Sequence, residues 1–282
     1  MKNSKIGIVG MGYWGKIILR NLRELGYKNI TICEQSEIDW HEIGEKYKHV
    51  KNYKDINCDY VFVIVPVCSH YEVCKYFLEK NCKVFCEKPL DVTSEKCSHL
   101  YSIDTGSLFV DWLFTFNPAV NQIKKLIKSI GKPKSIIANR MNFGPVRSDV
   151  NARWDLASHD VSIACYLLDE NPVDYKWLDF KRNSESKQDD STVGVINFPS
   201  TSVQVNASWH YRMKNRMYIM EFDNCFLHWD DNTSTILYGS DVIPCEKISP
   251  LHSSIQCFMS GDYKDQKQLT LNITKVLEND SI

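Results

Sequence analysis

The chain opens with a short apolar run, Ile6-Gly7-Ile8-Val9. A stretch follows in which Ile17, Ile18, Leu19, Leu22 and Leu25 recur at helical spacing. Gly26 can end that helix. Lys28–Cys33 reads as a second strand. Tyr60–Val65 is an unbroken apolar run ending at Pro66, as a strand buried on both faces should read. Ser69 opens a helix through Leu78, Lys83–Cys86 is a strand, Ser94 can cap a helix through Leu100, and Ser107–Val110 is again a strand. Strands that alternate with helices predict a parallel, doubly wound α/β sheet with right-handed crossovers over residues 1–117.

Beyond Asn117 the rhythm changes. Pro118–Ile130 predicts a helix, Ser135–Met141 a strand, and Asp155–Leu168 a helix with Ile163, Tyr166 and Leu167 among its apolar positions. From Asp174 to Tyr238 strands follow one another: Val193–Phe198, Thr201–Trp209, Arg216–Phe222 and Cys225–Trp229, with a hairpin turn at Pro199-Ser200. Two helices, around Leu251–Met259 and Leu269–Leu277, close the chain. Residues 118–282 are therefore expected to form a second, α+β domain with a mostly antiparallel open sheet. The hydrophilic stretch Lys181–Asp190 reads as a loop.

Composition narrows the class. The 282 residues are 43% hydrophobic and 24% charged, with a formal net charge of −1. That suits one large or two modest globular domains and calls for neither nucleic acid nor an anionic membrane as partner. No apolar run is long enough to span a bilayer. The eleven cysteines are odd in number and scattered, with no C-x-x-C pair, which argues against a zinc centre or a disulfide framework. Cys33, Cys68, Cys86 and Cys165 lie in or beside apolar runs and read as small hydrophobes. The N-terminus enters a strand with no signal-peptide pattern, so a reducing cytoplasm is the expected compartment.

The candidate chemistry begins where the first strand meets the first helix, at Gly10-Met11-Gly12-Tyr13-Trp14-Gly15. In this G-x-G-x-x-G order Gly10 permits a sharp turn, Gly12 lets bare backbone approach a pyrophosphate, and Gly15 allows close helix–strand packing. The phosphates would sit on free N–H groups at the helix N-terminus, beside Tyr13 and Trp14. Glu34 ends the second strand about 20 residues further on, where an acid can accept from the ribose hydroxyls and repel a 2′-phosphate. The expected cofactor is NAD. Pro66 and His70 flank the next strand end on the cofactor side; for His70 a structural role is favoured over a catalytic one.

Two further signals carry chemistry. Glu87-Lys88-Pro89-Leu90 directly follows a strand, which places Lys88 in the crevice where a nicotinamide would lie. Pro89 fixes the backbone there and aims the lysine. Asp155 and His159 are four apart and share a helix face. Histidine can take a hydroxyl proton near neutral pH, a carboxylate can orient it, and a lysine ammonium can stabilise charge on a substrate oxygen. Asn117, either a pocket residue or a helix cap, and Asn142 and Arg147, in the loop before the catalytic helix, complete the candidate substrate set.

The segments Gly7–Lys16, Pro66–Glu72, Val84–Leu90, Phe116–Val120, Arg153–Val161 and Ala207–Trp209 together resemble the Gfo/Idh/MocA oxidoreductase family. The resemblance implies a Rossmann domain followed by an α/β domain whose open sheet forms homodimers or homotetramers. It implies Lys88, Asp155 and His159 as the catalytic set, with His159 the base. Gly-Tyr-Trp-Gly and Phe-Asn-Pro-Ala-Val resemble the branch acting on nucleotide-linked sugars, which implies oxidation at C3 of a UDP-linked N-acetylated amino sugar or its uronic acid. Dehydrogenation of free sugars or polyols is the alternative within enzymes. A non-catalytic NAD-binding regulator is the alternative outside them. Trp112 and Glu221 depart from the family pattern.

Overall fold

The structure is a computed structural model that describes residues 3–278. The apolar runs of the first third become parallel strands: β1 (Ile6–Val9), β2 (Ile30–Cys33), β3 (Lys48–Val50), β4 (Tyr60–Val63), β5 (Lys83–Cys86) and β6 (Leu108–Val110). Every residue of β1 and β4 is buried, which accounts for their lack of apolar–polar alternation. Between the strands run α1 (Tyr13–Glu24), the single turn α2 (Trp40–Ile43), α3 (His70–Leu78) and α4 (Ser94–Ile103). Strand order is β3-β2-β1-β4-β5-β6, the order of doubly wound dinucleotide folds.

The rest of the chain supplies α5 (Pro118–Ile130), β7 (Ser135–Phe143), α6 (Ser158–Leu168), β8 (Asp174–Phe180), β9 (Ser191–Asn197), β10 (Ser202–Ser208), β11 (His210–Glu221), β12 (Phe226–Asp230), β13 (Thr235–Tyr238), β14 (Asp241–Ile243), α7 (Pro250–Ser260) and α8 (Lys267–Glu278). Strands β7 to β14 form one eight-stranded sheet in the order β14-β13-β12-β11-β7-β10-β9-β8. Only the β7–β10 pair is parallel. The expected α/β sheet followed by a mostly antiparallel sheet is thus what the chain forms.

The two faces of the second sheet differ. Ile136, Ala138, Trp177, Val203, Val205, Tyr218 and Met220 are buried. On the other face Ile219, Ile137, Gln204 and Val195 stand in one cross-strand row, and Ile137 and Val195 are exposed, as is Leu178 one row along.

The chain divides into two compact units: Met1–Asp111 with Leu251–Thr270, and Trp112–Pro250 with Leu271–Ile282. The passage from the first to the second lies between Asp111 and Trp112, and the chain later returns to the first unit. There Phe258 of α7 meets Phe62, Phe85 and Phe109 with ring centroids 5.3, 5.5 and 5.6 Å away. Among the described residues, which include all eleven cysteines, no disulfide forms. Cys33, Cys86 and Cys165 are buried as expected, whereas Cys68 is exposed, because the 3₁₀ turn Val67–Ser69 buries Val67 instead.

Candidate active site

The glycine turn of the first unit is built against backbone on two sides. Gly10 has φ +98°, and a Cβ there would lie 2.2 Å from the carbonyl oxygen of Ile64. A Cβ on Gly15 would lie 2.2 Å from the carbonyl oxygen of Gly10, so α1 is seated directly on the turn. Gly12 is different: nothing lies within 4 Å of its Cβ position. It is the N-cap of α1, and no side-chain hydrogen bond caps the helix there. Bare backbone and uncapped amides facing open space fit a pyrophosphate. Tyr13 and Trp14 are exposed beside them, edge to face at 5.8 Å.

Glu34 reaches this turn from the end of β2. Its Oε2 accepts from the Met11 amide at 2.8 Å and its Oε1 from the Ser36 amide at 3.0 Å. Burial favours the protonated form, but the amides of Met11, Ser36 and Gln35, with the charge of His49, outweigh it and hold the carboxyl below its ordinary range. An ionised carboxylate beside the glycine turn suits the ribose hydroxyls of an unphosphorylated adenosine.

The ends of β4 and β5 are joined by His70. Its ring is 2% exposed, with Nδ1 2.7 Å from the carbonyl oxygen of Pro89 and Nε2 2.8 Å from that of Val65. Placed in sequence among the cofactor residues, it lies inside the fold. What it contributes runs through the two strand ends that it joins, the Pro66 end included. The Lys88–Pro89 peptide is cis. Glu87 Oε2 accepts from the Lys88 amide at 3.1 Å. Asp111, which no local motif marks, is buried just past β6 and accepts from Ser254 Oγ at 2.5 Å. Burial, and then the charge of Glu87, push its carboxyl well above the ordinary range, against the pull of Lys88.

In the second unit the helical stretch expected from Asp155 begins as a π-helical segment, Arg153–Ala157, which passes into α6 at Ser158. Such wider turns recur at functional sites. Asp155 sits in this segment and His159 in the first turn of α6. Asp155 Oδ2 accepts from the indole Nε1 of Trp209 at 3.0 Å, and Oδ1 from Arg147 Nη1 at 3.4 Å. Arg147 makes a two-pronged pair with Asp149, Nε to Oδ1 at 2.9 Å and Nη2 to Oδ2 at 2.6 Å. Asn142 donates to the Gly144 carbonyl at 2.6 Å. His159 meets the ring of Phe114 edge-on, centroids 5.2 Å apart. Asn117 takes up the capping alternative: its side chain accepts from the Ala119 and Val120 amides at 2.8 and 3.4 Å.

Behind Phe114 lies a buried ion pair that periodicity could not reveal. Arg140 of β7 donates through Nε to Asp160 Oδ1 at 2.9 Å, and its guanidinium lies 4.3 Å from the Phe114 ring centre. Tyr218 donates a short hydrogen bond to the same Asp160 oxygen. Burial raises the Asp160 carboxyl, against the opposing pull of Arg140 and Tyr218. Among the described residues no cluster of His, Cys, Asp and Glu could hold a metal ion.

The fold and the glycine turn define a doubly wound dinucleotide-binding class. Residues 4–105 match the model described as "Oxidoreductase family, NAD-binding Rossmann fold". This part of the chain is thus similar to the NAD-binding Rossmann fold of the Gfo/Idh/MocA oxidoreductases. An inositol 2-dehydrogenase of Salmonella typhimurium is 27% identical over 192 residues, covering 61% of this chain and 56% of that protein. The chain thus spans little more than half the length of such curated relatives. The structure of a UDP-N-acetylglucosamine 3-dehydrogenase from Acidithiobacillus ferrooxidans superposes with TM-score 0.84 at 16% identity, covering 97% of this chain and 95% of that one. An oxidoreductase from Agrobacterium radiobacter, solved with NAD+, L-tartaric acid and magnesium, superposes with TM-score 0.81 at 13% identity over 98% and 94% of the two chains.

Proposed function

We propose that this protein is an NAD-dependent oxidoreductase that interconverts a sugar hydroxyl and the corresponding ketone, with a nucleotide-linked amino sugar as substrate and C3 as the oxidised carbon. The observation that carries the reading is Asp155 and His159, held four residues apart where the π segment meets α6, in a chain whose first unit is an NAD-binding Rossmann fold. When bound, NAD supplies the acceptor for the carbinol hydrogen. His159 takes the hydroxyl proton on its imidazole as the carbonyl forms. Asp155, held by Trp209 and Arg147, stabilises the imidazolium. Lys88 hydrogen-bonds the substrate oxygen and stabilises the negative charge that develops on it. Gly10, Gly12, Tyr13, Trp14, Gly15, Glu34, Pro66 and Glu87 are the proposed cofactor residues, and Asn142 and Arg147 flank the substrate, while Asn117 caps α5.

The exposed row with Ile137 and Val195 supports assembly as a homodimer or homotetramer through the second sheet. Oxidation of a free polyol is the second reading, favoured by the inositol dehydrogenase relative. Lys88→Ala and His159→Ala should abolish turnover while NAD affinity, measured by titration, stays within a few-fold; unchanged turnover would overturn the catalytic assignment. UDP alone should raise the melting temperature if the substrate is nucleotide-linked, and leave it unmoved if the substrate is a free polyol.

A further inference from the structure

Arg216 of β11 stands directly opposite Arg140 of β7, so the two side chains share the face of the sheet that meets Asp160 and Phe114. Arg140 is neutralised there by Asp160. Arg216 is not matched in the same way. Among the described residues it makes no ion pair, and its Nη2 reaches Asn142 Oδ1 only at 3.5 Å. Its buried Nε has no hydrogen-bond partner. Burial, and then the neighbouring charge of Arg140, push its pKa down, while the charges of Asp231, Asp160 and Asp155 act in the opposite sense. A half-buried guanidinium with an orphaned donor is costly unless something brings an anion to it. The other arginine of this region, Arg147, already has its fork closed on Asp149.

We propose that Arg216 is a substrate-binding residue that selects an anionic substrate, pairing its guanidinium with the oxygens of a sugar carboxylate or of the diphosphate in a nucleotide-linked sugar. The proposal rests on Asp155 and His159 marking the active site. It places the anion beside Asn142, on the same side of the sheet as the Asp155 carboxylate whose field reaches Arg216. A planar fork meets such oxygens with two parallel hydrogen bonds, which a neutral polyol cannot reproduce. Discrimination between charged and uncharged sugars follows from the unmatched cation.

The test reads binding without turnover, on the full chain saturated with NAD+. UDP, D-glucuronate and myo-inositol are titrated by calorimetry against the wild type, Arg216→Met, Arg216→Gln and Arg216→Lys. UDP or glucuronate should bind the wild type and lose at least tenfold in affinity on Arg216→Met and Arg216→Gln. Arg216→Lys should recover part of the loss, and any myo-inositol binding should be unchanged. Loss confined to UDP identifies the diphosphate as the partner, and loss confined to glucuronate identifies the carboxylate. Ligand-free melting temperatures identify a variant that fails to fold, and a second neutral variant then carries the comparison. Affinities for both anions within twofold of wild type in the neutral variants, or no binding of either anion by the wild type, would overturn the proposal. Turnover in the Lys88→Ala and His159→Ala series is a separate reading, so failure of that assignment is told apart from failure of this one.

Discussion

Trp209, fully buried one residue beyond β10, donates its indole N–H to Asp155 at 3.0 Å. The bond ties the π segment to the end of the central strands and holds one carboxylate oxygen in a fixed direction. Trp209→Phe keeps most of the buried ring and deletes only the donor. Hydrogen bonds to charged groups are worth about 1.5–3 kcal/mol, so kcat/KM should fall roughly ten- to a hundredfold if Asp155 orients the base. The acid limb of the pH–rate profile should move upward, because the imidazolium gains stability when its carboxylate loses a competing donor. A drop in melting temperature with an unaltered profile would reduce Trp209 to a packing residue.

The three motif glycines should separate in their effects. Gly10→Ala and Gly15→Ala each force a methyl to within 2.2 Å of a carbonyl oxygen, and each should cost about 3 kcal/mol of stability in urea unfolding. Gly12→Ala meets open space and should melt near the wild-type temperature. Its NAD affinity should nevertheless fall by tenfold or more, since the added methyl occupies the approach to the α1 amides. Equal melting of all three variants would contradict this division.

Glu34 makes a pH prediction with a defined sign. Its folded-state pKa is depressed, so its contribution to stability is fully present above the unfolded carboxyl value of about 4.3 and is lost as pH falls through the folded value. Glu34→Gln should flatten that part of the stability curve, below the ordinary glutamate value of about 4.3. It should also narrow the preference for NAD over NADP, measured as the ratio of dissociation constants, because the charge that repels a 2′-phosphate is gone.

Arg140 and Asp160 are both within the core. Removing either partner alone strands a charge, so Asp160→Ala should destabilise the protein by about 3–5 kcal/mol. The double variant Arg140→Met/Asp160→Leu should regain a large part of that loss. A double-mutant cycle on chemical denaturation reads the difference, and additivity of the two single effects would rule out the coupling.

Much of this architecture is legible along the chain. β5 and α5 fall on the expected residues, Lys83–Cys86 and Pro118–Ile130, because a buried run and an Asn-Pro cap with a closing glycine are local signals. Trp40–Ile43, β3 and β14 escape, being too short to show a period. The glycine turn, Glu34 and the Asp155–His159 spacing are also local. Trp209, Asp111, Arg140 and Arg216 are not. Each acquires its neighbours only when strands distant in sequence come side by side, and periodicity along one strand is silent about which strand lies next to it. The π segment is invisible for another reason: one extra residue in a turn leaves a four-residue spacing unchanged.

The return of Leu251–Thr270 to the first unit sets an order of events during synthesis. Gln266 Oε1 accepts from the Val110 amide of β6, Ser254 caps Asp111, and Phe258 fills the aromatic cluster of the parallel sheet. These groups leave the ribosome long after the six strands they complete. The parallel-sheet unit therefore waits, with rings uncovered, until the second unit has been made. A chain stopped at residue 117 should bind the apolar dye ANS and be cut by protease, and a separately added peptide spanning 249–271 should protect it.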